Sequence, residues 1–257
     1  MQKIHISLKN IYAFSVFFNL TAFADNNIDF KFTSPQIPDS DYQNIVKPLI
    51  NPTRFQFMSA PIPSSGKIIP LGISAGGGLS YFNPPQSMID SLNKYTDSAN
   101  NFPSSIIMPR FIGKIGIPFG IDVAINYAKV PQSSIEFYGI GGQFILSNPR
   151  IIPISLALRG GYTQINGFAP FDANSTNAEL VLGVPLPVLK PYLGGGSNWS
   201  NASTSFKIGN STLTKSSSWN EVYGIIGFQI VTVLALDVEA QISPNQTIYN
   251  AKISLEI

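Results

Sequence analysis

The chain has 257 residues, of which 44% are hydrophobic and only 12% are charged, about half the charged fraction of an average soluble domain. Lys and Arg number 16 against 14 Asp and Glu, and this near balance argues against a nucleic-acid partner. The chain has no Cys, and its one His is His5. His5 lies in a predicted signal peptide, described below, so the mature chain is expected to have neither residue. We therefore expect no enzyme, no metal site, no cofactor and no disulfide framework.

The first 24 residues have the pattern of a cleaved signal peptide. Lys3 and Lys9 precede an apolar stretch from Ile11 to Ala24, which ends in the small-residue cleavage pattern Ala22-Phe23-Ala24. This stretch is shorter than the roughly 17 to 25 residues that a membrane-spanning helix needs. We expect cleavage after Ala24 and export from the cytoplasm.

Residues 25–66 are predicted to form an N-terminal segment that contains a short helix. Tyr42, Ile45, Val46 and Leu49 recur at helical spacing. Two placements are open for this helix: a plug inside a barrel lumen, or a periplasmic leader that contacts nothing. The stretch from Arg54 to Ala60 alternates weakly and, together with Ile28 to Thr33, could add two strands to those predicted below.

Residues 67–257 alternate apolar residues with small or polar ones, and this period of two indicates β-strands. We predict ten strands: 67–82, 105–117, 119–130, 135–147, 151–164, 175–186, 188–200, 218–230, 232–241 and 247–257. With the two N-terminal stretches, the alternative number is twelve.

The connections between these strands alternate between tight and long. Tight links lie at Pro118, Asn148-Pro149, Pro187 and Val231, whereas long links are expected over 83–104, 165–174 and 201–217. This asymmetry is typical of outer-membrane barrels, although the alternation alone also fits a soluble sandwich. The signal peptide, low charge and strand length favour the barrel. We therefore predict an all-β, antiparallel transmembrane β-barrel in the bacterial outer membrane, with lipid and the barrel-assembly machinery as partners.

Aromatic residues support this interpretation because they fall near the predicted strand ends, as in the aromatic girdles of membrane barrels. The predicted outer set comprises Tyr81, Phe82, Tyr127, Phe137, Tyr138, Tyr162, Trp199, Trp219 and Tyr249. The predicted periplasmic set comprises Phe119, Phe144 and Phe228.

The predicted inward faces carry a balanced set of charges. These residues are Arg110, Lys114, Asp122, Arg159, Glu179, Lys190, Asp237, Glu239, Lys252 and Glu256. A selective pore would be expected to present one sign of charge, so we interpret them as a structural network. The expected cross-strand pairs are Lys114 with Asp122, Arg110 with Asn126, Asp237 with Lys252 and Glu239 with Asn250.

Small residues also concentrate on these inward faces, notably Gly76, Gly78, Gly194 and Gly196. Glycine in a strand often marks the close approach of another part of the chain. We therefore expect the lumen to have an occupant.

The order of features resembles a family of uncharacterised proteobacterial outer-membrane barrel proteins, which is distantly similar to long-chain fatty-acid transporters. The most specific matching stretches are the strand-turn-strand from Ile115 to Val123 and the stretch from Leu156 to Thr163. The resemblance covers nearly the whole mature chain and implies a barrel, but no substrate. One departure is Ile257, where such barrels usually end in an aromatic residue.

Two functions follow as hypotheses. The first is passive or gated transport of a small, hydrophobic solute, which the helix, the small-residue wall and the resemblance favour. The alternative is a closed structural or surface-interaction barrel that acts through its outer connections at 83–104 and 201–217.

Overall fold

The computed structural model describes residues 29–64, 71–97, 102–131, 133–147, 154–168, 171–208 and 211–257. The predicted signal peptide lies outside these residues, as do positions 67–70 and 148–153 of the predicted strands and turns. Ten antiparallel strands form one closed barrel, so the predicted all-β fold with ten strands is confirmed and the alternative of twelve is wrong.

The strands follow one another around the barrel, and β1 closes it against β10. Their bounds are β1 Gly72–Phe82, β2 Ile106–Ile117, β3 Ile121–Lys129, β4 Glu136–Ile145, β5 Ser155–Phe168, β6 Phe171–Gly183, β7 Leu189–Ile208, β8 Ser211–Val231, β9 Ala235–Ile242 and β10 Thr247–Glu256. Burial alternates along each strand, as in β1 and β2, because successive side chains point to opposite faces. Most outward residues are apolar, whereas the inward positions carry polar residues such as Arg159 and also apolar ones such as Phe137.

One end of the barrel, here called the turn end, contains the short connections 118–120, 184–188 and 232–234. In the first of these, Phe119 and Gly120 adopt φ values of 74° and 76°. The turn therefore takes three residues rather than Pro118 alone, and the predicted register is wrong by two. Lys114 lies opposite Ala124 and Arg110 opposite Ala128.

In the β9–β10 hairpin, by contrast, the register agrees with the sequence prediction. Asp237 lies opposite Lys252, and Glu239 lies opposite Asn250.

The opposite end, here called the hairpin end, differs from the sequence prediction. The predicted loops at 165–174 and 201–217 are mostly strand. Strand β5 continues to Phe168 and β6 begins at Phe171, while β7 and β8 have 20 and 21 residues. These stretches are rich in hydroxyl and amide side chains, a composition typical of loops, yet their backbones pair as a regular strand ladder. A second helix, α2 (Gln86–Tyr95), occupies the predicted loop after β1.

The N-terminal segment begins at the hairpin end. Asp29 accepts hydrogen bonds from Ser133 and Ser134 in the β3–β4 connection, and Phe32 forms an isolated bridge with Thr96. Helix α1 (Asp39–Ile50) follows, and then a short 3-10 helix, Asn51–Thr53. Within the described residues, neither α-helix is long and apolar enough to cross a membrane.

After the 3-10 helix, the chain runs through the lumen to the turn end. Residues 51–61 are all buried. Ser64 contacts Asp122, near the start of β3. Arg54 to Ala60 is therefore an extended segment inside the barrel and not a wall strand. We call residues 51–64 the lumen segment.

Candidate functional site

The centre of the lumen is filled by Phe55, which lies against a glycine patch on the wall. An ideal Cβ atom on Gly141 or Gly161 would stand within 2.6 Å of atoms of Phe55, and one on Gly139 would stand 3.1 Å from its ring. The ring of Phe57 packs on Phe55 with centroids 5.2 Å apart. Alanine at these wall positions would collide with the ring, so the inward glycines make room for the lumen segment.

Two wall arginines bind the main chain of this segment. Arg159 donates to the carbonyl oxygen of Ser59 and to Oε1 of Gln143, both at 2.7 Å. Arg110 donates to the carbonyl of Pro52 and, at 2.7 Å, to Oγ of Ser80. Hydrogen bonds from a charged donor to a buried carbonyl are among the stronger ones in proteins. Both arginines therefore hold the segment at fixed heights in the barrel.

Other wall side chains bind main-chain oxygens of the N-terminal segment as well. Asn177 donates to the carbonyl of Phe55 at 3.2 Å, and Ser155 donates to that of Pro61. Gln246 donates to the carbonyl of Pro48 in α1 at 3.2 Å. The wall thus satisfies buried main-chain groups of a segment that has no strand partner of its own.

The segment contributes one charged side chain to the lumen. Arg54 is 1% exposed and donates from Nε to Gln241 at 2.8 Å. Its guanidinium lies 3.7 Å from the ring centroid of Tyr223 and 3.9 Å from the Glu221 carboxylate. Sequence reasoning missed Arg54, Tyr223 and Glu221. Glu221 and Tyr223 lie within the predicted strand 218–230, but alternation does not show which lumen residue they contact; the single Arg in the stretch from Arg54 to Ala60 was the available signal.

The buried carboxylates all have polar neighbours. Glu239 accepts from Tyr192 at 3.0 Å and from Gln241 at 2.8 Å, and Glu179 accepts from Tyr223 at 2.8 Å. Asp237 pairs with Lys252 at 3.2 Å. These carboxylates therefore form part of a hydrogen-bonded polar network inside the barrel.

The structure places the ten predicted charged residues on inward positions. Eight of them are distributed over two levels, and the other two, Asp237 and Lys252, pair with each other. Arg110, Arg159, Glu179 and Glu239 surround the lumen segment, whereas Lys114, Lys190 and Glu256 line a cavity at the turn end. Asp122 accepts from Gln143 and from Ser64 and thereby connects the levels. In the part of the chain described by the structure, no cluster of three or more metal-binding side chains is present.

Helix α1 lies inside the hairpin end. Tyr42, Ile45 and Val46 are buried and Leu49 is partly buried. The hydroxyl groups of Tyr42 and Thr204 are hydrogen bonded at 3.0 Å. Burial raises the pKa of Tyr42 above its ordinary value, although the bond with Thr204 opposes this shift. The helix therefore packs on the inner side of the β7 extension.

The predicted outer set of aromatic residues is only partly correct, whereas the predicted periplasmic set is exposed as expected. Phe82, Phe137 and Trp219 are buried and pack with α1 in one apolar cluster, because their positions fall on the inward face of the alternation. The outward residues of the outer set are Tyr81, Tyr127, Tyr138, Tyr162, Trp199 and Tyr249, which are all exposed. Phe119, Phe144 and Phe228 are exposed near the turn end.

No protein-family model and no curated protein matches the chain. Among solved structures, it is similar to the N-terminal barrel domain of OprF from Pseudomonas aeruginosa, with 10% identity, a TM-score of 0.33 and coverage of 73% of this chain and 98% of that chain. It is also similar to Ail, the attachment invasion locus protein of Yersinia pestis, with 8% identity, a TM-score of 0.32 and coverage of 73% and 97%.

A third similar structure is the outer membrane protease OmpT of Escherichia coli, with 9% identity, a TM-score of 0.34 and coverage of 72% of this chain and 93% of that chain. The strand pairing of the chain itself, rather than these distant likenesses, establishes the barrel. The resemblance to an uncharacterised proteobacterial family and to fatty-acid transporters stays a prediction.

Proposed function

We propose that the protein is an outer-membrane barrel, closed by its own N-terminal segment, that acts through its hairpin end as a surface-interaction protein. The observation that carries this proposal is the lumen segment: buried residues 51–61 occupy the space through which a solute would pass.

Membrane insertion is supported by the outward face. Between the exposed Tyr and Trp residues and the turn end, outward positions of the described strands carry no Asp, Glu, Lys or Arg. Ten residues separate Tyr81 from Leu71, which at about 3.3 Å per residue and a tilt of about 40° span about 25 Å, the height of the apolar band of outer-membrane barrels. Short turns face the periplasm in such barrels, so the hairpin end would face outward. Lipid and the barrel-assembly machinery are the partners that this location implies.

The hairpin end offers a surface suited to hydrogen bonding. Strands β7 and β8 pair as far as Ile208 and Ser211. These strands extend about 20 to 25 Å beyond Trp199, at about 3.3 Å per residue and the same tilt. On their outward face, Ser218 donates to Asn201 at 2.7 Å, and Asn201 donates to Asn174 at 3.1 Å. This ladder of hydroxyl and amide side chains suits a partner that offers hydroxyl or amide groups.

A hairpin variant tests this role. Replacing residues 201–218 by Asn-Gly removes Asn201 and Ser218 and closes the hairpin after the pair of Ser200 and Trp219, with a turn that two-residue hairpins favour. Proteoliposomes are then applied to an array of neutral and acidic oligosaccharides and extracellular proteins. We expect binding by the full chain and its loss in the shortened form. Tyr42→Phe is the matched control, because it removes the contact with Thr204 but leaves the outward ladder. Equal binding by the full and shortened chains would contradict the proposal.

Gated transport of a small, hydrophobic solute is the second candidate. The wall holds the lumen segment largely through main-chain oxygens and would present polar groups if the segment left. An open barrel interior is polar in this way. Single-channel conductance is to be compared between the mature chain and a form that begins at Pro61, both shown to be folded by heat-shifted gel mobility. Conductance of the full chain that a solute switches on would favour transport over the closed barrel.

A further inference from the structure

A cavity of about 160 Å³ opens at the turn end, between the exit of the lumen segment and the barrel wall. Its polar lining comprises Ser64, Ser74, Lys114, Lys190, Gln229 and Glu256. In the strand register, Ser74 lies between Lys114 on β2 and Glu256 on β10, whereas Lys190 on β7 lies opposite Gln229 on β8. The cavity is therefore lined by two lysines, Lys114 and Lys190, from separate parts of the wall.

Lys114 is the unusual member of this lining. It is 6% exposed, yet among the described residues its ammonium has neither a hydrogen bond nor an ion pair. The neighbouring carboxylates already have other partners. Asp237 pairs with Lys252, Asp122 accepts from Ser64 and Gln143, and Glu256 accepts from Gln229 at 3.0 Å. Asp122, Glu256 and Asp237 attract this ammonium and Lys252 repels it, but none of the described carboxylates forms an ion pair with it, so its three N–H groups are left for a further acceptor in the cavity.

We propose that this cavity binds a small oxyanion, a phosphate or a carboxylate, whose oxygens accept hydrogen bonds from Lys114 and Lys190. A volume of about 160 Å³ exceeds the roughly 30 Å³ that one water occupies in the liquid, so such an ion fits. Ala60 and residues 62–64 of the lumen segment form part of the cavity wall. The bound anion thus bridges the segment and the barrel and stabilises the closed form. This site is independent of the binding role proposed for the hairpin end.

The test is calorimetric titration of the refolded full chain in neutral detergent. Sodium phosphate and sodium acetate are titrated separately at pH 7 and constant ionic strength, with chloride as the balancing anion. We expect saturable binding of at least one of them, with a Kd raised at least tenfold in Lys114→Gln and in Lys190→Gln. Lys129→Gln is the matched control, because Lys129 is exposed at the hairpin end of β3, and its Kd should equal that of the unmodified chain.

Heat-shifted gel mobility establishes that each variant is folded. Should Lys114→Gln fail to fold, Lys190→Gln still tests the site, and Lys114→Arg, which keeps the positive charge, is expected to retain saturable anion binding. Absence of saturable binding of both anions, which would mean a cavity filled by water, overturns the proposal. Binding that both Gln variants retain at the original Kd overturns it as well.

Discussion

The ring of Phe55 rests directly on Gly161, where a Cβ atom would stand 2.6 Å from Cγ of the ring. Because Phe55 belongs to the lumen segment and Gly161 to the barrel wall, this contact measures how closely the segment fits the lumen.

Gly161→Ala is therefore expected to destabilise the folded chain by about 1 to 3 kcal/mol, the usual cost of overpacking. Gly160→Ala is the control, since a Cβ there would meet only the carbonyl oxygen of Asn177 at 3.5 Å. Urea unfolding followed by gel mobility gives both free energies of unfolding. If Gly160→Ala lowers the free energy of unfolding as much as Gly161→Ala does, substitution of strand glycines is destabilising for a reason other than the Phe55 contact.

The buried pair of Asp237 and Lys252, 3.2 Å apart, leads to a second prediction. Lys252→Met leaves the Asp237 carboxylate buried without its cation and should cost about 3 to 5 kcal/mol. The double variant Lys252→Met with Asp237→Leu should recover most of this loss, because two well-packed apolar residues can replace a buried pair. The same unfolding measurement tests both. If the double variant is as unstable as the single one, packing around the pair, rather than the unpaired charge, determines the stability.

Trp219 reports whether the segment is in place. Its indole nitrogen donates to Oδ1 of Asn51 at 3.0 Å, whereas the chain's other Trp, Trp199, lies on the outward face. In a Trp199→Phe background, deletion of residues up to Ala60 should shift the emission of Trp219 to longer wavelength, because water reaches the indole. The matching deletion in a Trp219→Phe background should leave the emission of Trp199 unchanged. An unshifted Trp219 would mean that the lumen stays dry without the segment.

Single-cysteine labelling tests the orientation, because the chain contains no Cys. Lys31 and Val233 are both exposed but lie at opposite ends, Lys31 near α2 and Val233 in the turn between β8 and β9. On intact cells, an impermeant maleimide should label Lys31→Cys and should label Val233→Cys only after the outer membrane is opened. The reverse pattern would place the hairpin end in the periplasm.

The sequence predicts the barrel wall better than the path of the lumen segment. Alternation gives ten strands, and it puts Asp237 opposite Lys252 because the register continues regularly through that hairpin. Alternation predicts the wrong register at the β2–β3 turn. This turn includes Phe119 and Gly120 as well as Pro118, and composition does not reveal the positive φ of Phe119. Alternation also mistakes the outer part of β7 and β8 for a loop, since Ser and Thr ladders lack apolar alternation.

The position of Arg54 was not predictable for a different reason. Its neighbours Gln241, Tyr223 and Glu221 are all far away in the sequence, and no local pattern brings them together. Of the inward glycines named from the sequence, Gly76, Gly78, Gly194 and Gly196, only Gly78 has an atom of the lumen segment, in Met58, among the nearest neighbours of its Cβ position. Only the fold identifies Phe55 as the side chain that needs the space.

The path of the N-terminal segment also restricts the order of assembly. The segment enters at the hairpin end, passes through the lumen and leaves at the turn end, where β1 begins. Strand β1 joins β10 along the last seam of the barrel. Threading a helix and bulky rings through a finished wall would require breaking many strand pairs. We therefore expect residues 29–64 to lie between the strands before that seam closes, so that the wall is completed around its own contents.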